Sequence, residues 1–345
     1  MKGLVKFARG KGNVELREVA EPSPGPDQVK IEVKAAGICG SDIHILHDQI
    51  VQPIHPPFVM GHEFCGVVTE IGPEVTAWEN GDRVTAEPAF SVCERCDYCR
   101  TGQYHMCWER KGFGFWHDGA FAKYIVVPEK RVHRLPVAVD FIAGALCEPL
   151  AVATHSVIEL TAIKPTDWVL VTGVGAIGLL VAQVARLKGG RVVLAGVTAD
   201  RKRFQIAETL GFHDCLDVQK HSLQDCARAK TGGKGFDVIL ECSGSPEAVR
   251  EGLAAIKKRG IFTQIGLFGK PFELNFETIA FKEITLQGSI SHPWRAWDAA
   301  IRLLESGTVQ TRPLVTDVFS LERWQEAFQK FENKEGTKIL LIPGE

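Results

Sequence analysis

A two-domain α/β chain is what this sequence predicts, and three observations predict it. Short stretches of alternating apolar and polar residues, separated by Gly and Pro, fill roughly the first 150 positions. From about Ala151 the pattern changes to apolar runs of strand length alternating with helix-like segments, the signature of a parallel sheet wrapped by helices. The chain has 345 residues, enough for two hydrophobic cores.

Composition excludes several classes. Apolar residues make up 45% and charged residues 24%, ordinary values for a globular chain. A formal charge of -2 and a pI near 6.6 give no general pull toward nucleic acid or anionic membrane. The start, Met1 to Phe7, lacks the apolar stretch of a secretory signal, and no run approaches the length of a membrane span. Four of the ten cysteines (Cys93, Cys96, Cys99 and Cys107) fall within fifteen residues. Without a secretory signal, that clustering argues for a metal in a reducing, cytoplasmic setting over a disulfide framework.

Along the chain, Asp27 to Lys34 alternates with the period of a half-buried strand, after a turn-rich Pro22-Ser23-Pro24-Gly25-Pro26. Val67 to Ile71 and Asp82 to Thr85 continue the style, so a small barrel-like β-domain is expected. Within it lie Cys39-Gly40-Ser41-Asp42-Ile43-His44 and, twenty-three residues past Cys39, Gly61-His62-Glu63 with Gly66, Gly72 and Val75 behind it. Alone, Cys39 reads as a small buried hydrophobe and His62 as a satisfied core histidine. Together, thiolate, imidazole and carboxylate form a zinc-ligating set. Ser41, two residues from the thiolate, is placed to take a proton from an alcohol, and His44 to pass it to solvent. His47 and His55 have no such partner and read as surface or packing residues.

Cys93-x2-Cys96-x2-Cys99-x7-Cys107 supplies four thiolates, which close a tetrahedral shell with no open position. The spacing predicts a structural zinc site over four reduced cysteines or two disulfides; a nucleic-acid-binding zinc ribbon is disfavoured because no basic stripe accompanies it. Gly112 to Gly119, rich in glycine and aromatics, suits either a pocket lining or a packed loop, and Gly119 to Val127 reads as a return strand. In Ala145-Leu146-Cys147-Glu148-Pro149-Leu150, a glutamate sits among leucines. Buried carboxylates need a partner or a metal, which places Glu148 near the zinc, with Cys147 as a competing ligand and an exposed first helical turn as the alternative.

Trp168 to Thr172 is a buried-strand run feeding Gly173-Val174-Gly175-Ala176-Ile177-Gly178 and then a helix-like Leu179 to Arg186. A glycine triplet directly between strand and helix is the dinucleotide fingerprint, with the pyrophosphate at the helix N-terminus. The next strand, Arg191 to Ala195, lacks the acid that holds an NAD ribose; Thr198, Asp200, Arg201, Lys202 and Arg203 are expected to follow it in the loop. Arg201 and Arg203 favour NADP through its 2'-phosphate, while Asp200 keeps NAD open. Phe236 to Glu241, Gly260 to Gly266 and Ile284 to Ser289 continue as strands, with helices over Pro246 to Lys257 and Trp297 to Ser306. The strand Lys338 to Ile342 is expected to rejoin the first domain.

These motifs together cover nearly the whole chain, which resembles the zinc-dependent medium-chain dehydrogenases, closest to the sorbitol (polyol) and L-threonine dehydrogenase branch. The resemblance implies a GroES-like β-barrel catalytic domain (1–150 plus 290–345) and a Rossmann doubly wound coenzyme domain (151–289). It also implies a catalytic zinc on Cys39, His62 and either Glu63 or Glu148, with Ser41 and His44 relaying the proton. Ile265, Leu267 and Ser289 would lie along the nicotinamide half of the cofactor. A homo-oligomer is the expected assembly, and two zinc ions per chain the expected metal content.

Two departures qualify the match. The strand-end acid is missing, and neighbouring strand residues face opposite ways, so His62 and Glu63 can both ligate only if the backbone turns there. Glu63 is otherwise a carboxylate that orients the site from behind. The expected reaction is reversible hydride transfer between NAD(P) and a secondary alcohol of a polyol-like substrate. The alternatives are L-threonine, a simple alcohol, a zinc-free quinone reductase, or a non-catalytic zinc and nucleotide-binding protein.

Overall fold

The computed structural model describes residues 1–344. The chain divides into two compact units, one built from Met1–Glu148 with the C-terminal stretch beginning at Pro293, the other from Pro149–His292.

The first unit is mostly β. Its long central strand, Gln28–Gly37, pairs antiparallel with Glu63–Ile71 on one side, and with Tyr124–Pro128 and Lys338–Ile342 on the other pairings it makes. Alternation explains it: Val29, Ile31, Val33 and Ala35 point into the core at 2% exposure or less. Each such aliphatic burial contributes roughly 1.5–3 kcal/mol. Gly66, opposite Val33, is there because a Cβ would meet the Glu32 carbonyl oxygen at 2.1 Å. Two regions depart from expectation. The return strand spans only Tyr124–Pro128, because residues 119–121 bond instead to Val59, Met60 and Gly61, where the backbone bends out of register. Trp324–Glu332 is a helix that sequence periodicity left undefined.

The second unit carries a six-stranded parallel sheet. In spatial order its strands are Cys215–Asp217, Arg191–Gly196, Trp168–Thr172, Phe236–Glu241, Ile256–Gln264 and Thr285–Gly288. Apolar residues face both sides of the central strands, so Leu170, Ile239 and Phe262 are fully buried. Strand order switches direction at Trp168–Thr172, which pairs in parallel with both Arg191–Gly196 and Phe236–Glu241. Ligands of such sheets bind beyond the strand ends at that switch point. Among the described residues, no helix is long and apolar enough to cross a membrane.

Candidate functional site

In the first unit, Cys39, His62 and Glu63 place their ligand atoms within 4.8 Å of one another. Cys39 sits in extended conformation just before the short helix Gly40–Leu46, its amide donating to Asp42 Oδ2 at 2.8 Å. His62 lies just ahead of the strand that begins at Glu63. Gly61, with φ +90°, breaks the strand geometry there, and this lets adjacent side chains share one site. A Cβ at Gly61 would also strike the Phe121 ring at 2.6 Å.

Asp42 is fully buried, with Oδ1 3.9 Å from His62 Nδ1. Burial lifts its carboxyl to about 6 against the pull of His62. Burial opposes protonation of the His62 ring, yet Cys39, Asp42 and Glu148 outweigh it and raise the ring to about 10. The pocket therefore carries more negative charge than its own cations balance, and a thiolate, an imidazole and a carboxylate fit a zinc ion. Ser41 Oγ is 3.5 Å from His62 Nε2. His44 follows Ser41 by three residues on the same helix, hence on the same face, with no hydrogen bond between their side chains.

Sequence reasoning missed Lys338. This lysine is 3% exposed and donates to the Ile38 carbonyl at 2.9 Å, and its ammonium also pairs with Glu63 Oε2. Burial lowers its pKa, but Glu63, Cys39 and Glu148 more than offset this, so it is held charged. No local motif signals it, because strand pairing alone brings it to Glu63 from the far end of the chain. Asp42 is the other omission; its place three residues past Cys39 was a usable signal. Glu148 lies in the first turn of the helix Cys147–Thr154 and is 8% exposed. It stands outside the close trio, yet its charge reaches His62, Lys338 and Arg110. Cys147 is fully buried and also outside the trio, a thiol pushed up to about 12 by burial.

Cys93, Cys96, Cys99 and Cys107 form the second close group, with Cys93 and Cys99 sulfurs 3.9 Å apart. Backbone amides of Arg95 and Cys96 aimed at Cys93 lower its thiol to about 6, which favours the thiolate that a metal needs. In the 112–119 loop, Phe115 lies against His62 with ring centroids 5.1 Å apart, and Trp116 stacks on His55.

In the second unit, Gly173 has φ +87° and a Cβ there would crowd Ser243 at 2.8 Å. Gly175 faces open space, and a Cβ on Gly178 would lie 1.8 Å from the Gly173 carbonyl oxygen. Ala176 and Ile177 open the helix Ala176–Leu187. Tight turn, open cradle and close helix packing suit a pyrophosphate. Thr198 donates to Asp217 at 2.7 Å. Arg201, Lys202 and Arg203 form the first turn of the helix Arg201–Thr209, not a loop, because Thr198–Asp200 makes a single tight turn that leads straight into it. Arg203 pairs with Asp200 at 2.9 Å, whereas Arg201 is exposed. Ile265, exposed Leu267 and buried Ser289 follow the ends of the last two strands.

A further residue missed in the sequence, Glu241, organises this end of the sheet. Fully buried, it accepts from the Ser243 and Gly244 amides at 2.8 and 3.1 Å, from Thr172 Oγ1 at 3.2 Å and from Gln264 Nε2 at 2.5 Å. It thereby holds Ser243 against Gly173.

Comparison with known proteins agrees with this geometry. The family described as "Alcohol dehydrogenase GroES-like domain" matches residues 25–137, and "Zinc-binding dehydrogenase" matches 176–306. The chain is 42% identical over 344 residues to a sorbitol dehydrogenase of Halalkalibacterium halodurans, covering 99% of both chains. It is 36% identical over 342 residues to a D-arabitol-phosphate dehydrogenase of Enterococcus avium, covering 99% of this chain and 97% of the other. A zinc-binding dehydrogenase of Sinorhizobium meliloti 1021 bound to NADP superposes with a TM-score of 0.90 at 32% identity, over 99% of each chain.

Proposed function

Because this chain belongs to the zinc-dependent medium-chain dehydrogenase family, we propose that it interconverts a secondary alcohol of a polyol or sugar-alcohol-like substrate with its ketone. NADP is the hydride carrier in this proposal. The observation that carries the reading is the thiolate, imidazole and carboxylate gathered within 4.8 Å, in one chain with a four-cysteine lobe.

Cys93, Cys96, Cys99 and Cys107 would hold one zinc ion, and Cys39 and His62 with Glu63 or Glu148 would hold a second. Bound there, the second zinc would supply Lewis-acid character and lower the pKa of an alcohol. Asp42 backs the His62 ring with its charge from 3.9 Å, and Lys338 balances the Glu63 charge. Ser41 accepts the alcohol proton, and His44, one helical turn on, delivers it to solvent. Residues 1–150 with 290–345 do this chemistry, and residues 151–289 bind the dinucleotide on Gly173, Gly175, Ala176, Ile177 and Gly178. Thr198, Arg201 and Arg203 take the adenosine end; Ile265, Leu267 and Ser289 take the nicotinamide end. Three basic residues on the first turn of a helix disfavour that helix through its dipole, unless an anion sits among them. The 2'-phosphate of NADP is such an anion; Asp200 engages Arg203, so exposed Arg201 and Lys202 are the cations left for it. A cytoplasmic homo-oligomer completes the proposal; ten unpaired cysteines support the reducing compartment.

Metal content per chain, with NADPH and NADH titrations, tests the reading on wild type and Cys39→Ser. Two zincs falling to one, with polyol oxidation lost and NADPH bound more tightly than NADH, is the expected result. An unchanged metal count in the variant would overturn the catalytic assignment.

A further inference from the structure

Beside the ligand trio, in the first unit, lies a cavity of about 650 Å³ whose wall includes Phe115, Trp116, Arg110 and Lys111. Phe115 connects it to the reaction site, since the same ring rests on His62. Arg110 is the unusual member. Its Nε is sealed from solvent and has no hydrogen-bond partner, and its guanidinium makes no ion pair among the described residues. Burial accordingly lowers its pKa, while the charges of Glu148 and Glu87 act the other way from beyond contact distance.

The acids that might have neutralised Arg110 are engaged elsewhere. Glu109, next in the chain, pairs with Arg95 at 2.7 Å. Glu87 accepts from Tyr104 at 2.7 and 2.8 Å, lies 3.0 Å from His133 Nε2 and has Arg131 at 3.8 Å. Lys111 adds a second cation on the same wall, its ammonium 5.0 Å from the Trp116 ring centroid, and Ser91 and Gln52 add neutral hydrogen-bonding groups. Arg110 is half-buried, with Nε sealed and no carboxylate on its guanidinium, so the free edge of the fork is open to an anionic ligand. Glu109 also lines the cavity, but its carboxylate is held by Arg95, which leaves Arg110 and Lys111 as the unpaired charges; two cations suit a dianionic phosphate, whose oxygens match the guanidinium fork, better than they suit a single carboxylate.

We propose that this cavity is a subsite for a phosphate monoester carried by the substrate, so that the preferred substrate is a phosphorylated sugar alcohol whose phosphate sits on Arg110 and Lys111. The inference rests on the polyol dehydrogenase reading and narrows it. The phosphate undergoes no chemistry; it anchors the chain of hydroxyls past Phe115.

The test compares kcat/KM of the zinc-loaded enzyme for sorbitol 6-phosphate, xylitol 5-phosphate, the two parent polyols and L-threonine. Wild type should favour the phosphate esters by roughly tenfold to a hundredfold, as expected of a charge-assisted anchor, mainly through KM. Arg110→Gln should bring the ester-to-polyol ratio close to one, and Arg110→Lys, which keeps the charge without the fork, should leave an intermediate ratio. A wild-type ratio near one, a ratio that survives in Arg110→Gln, or a larger gain with L-threonine would each overturn the assignment while leaving dehydrogenase activity established. If none of these compounds is oxidised, the polyol reading itself has failed. Calorimetric titration of the holoenzyme with inorganic phosphate then decides the subsite by itself. Binding lost in Arg110→Gln supports it, and no binding to wild type overturns it.

Discussion

Replacing Glu241 should release the loop that backs the dinucleotide fingerprint. In Glu241→Ala, the Ser243 and Gly244 amides lose their acceptor, while Gln264 keeps a second partner in the Gly266 carbonyl at 2.8 Å. An unsatisfied buried amide costs roughly 1–3 kcal/mol. Ser243 is exposed, so water can reach part of the gap, and the lower end applies: about 2–3 kcal/mol for the pair. Glu241→Gln is the informative companion. Its amide can present oxygen to the loop or to Gln264 but not to both, and turning Gln264 over would set its oxygen against the Gly266 carbonyl. One donor stays unmatched, for about 1–2 kcal/mol. Because Ser243 packs against Gly173, the loosened loop should also weaken NADPH binding, about tenfold or more for alanine. Urea unfolding followed by circular dichroism, with NADPH fluorescence titration, measures both effects. Stability within 0.5 kcal/mol of wild type in the alanine variant, together with unchanged NADPH affinity, would refute the role given to Glu241.

Lys338→Met strands a buried Glu63 and should cost about 3–5 kcal/mol in zinc-stripped protein. Adding Glu63→Gln should recover most of that in a urea double-mutant cycle, and additive losses would show that the pair does not interact. Cys215 is raised to about 11 by burial and then by Glu208 and Asp214. A raised thiol pKa keeps the neutral form below it, so only about 0.1% is thiolate at pH 8. Iodoacetamide labelling read by peptide mass spectrometry should be slow there and rise about tenfold per pH unit between 7 and 9; labelling as fast as free cysteine would contradict it.

Local sequence carried the family, the fold class and most of the chemistry-bearing side chains. Each motif is contiguous: Cys39 to His44 and Gly61 to Glu63 make two short stretches, the four cysteines span one lobe, and the glycine fingerprint sits within a single strand-turn-helix. Period-2 alternation in Gln28–Gly37 and the buried runs of the parallel sheet were legible for the same reason, because each reports on its own neighbours. What depended on distant chain segments was not legible. Lys338 meets Glu63 only through the pairing of a C-terminal strand with Gln28–Gly37. Glu241 acts only where the ends of several parallel strands converge. The alternation rule kept His62 and Glu63 apart until the positive φ of Gly61 overrode it. Arg110 shows the limit most clearly, since its residue type is plain in the sequence, while the lack of a hydrogen-bond partner for its Nε among the described residues is a property of packing alone. Hydrogen-bonded periodicity and short motifs are written locally, but charge balance in a buried site is a sum over segments that only the tertiary fold brings together.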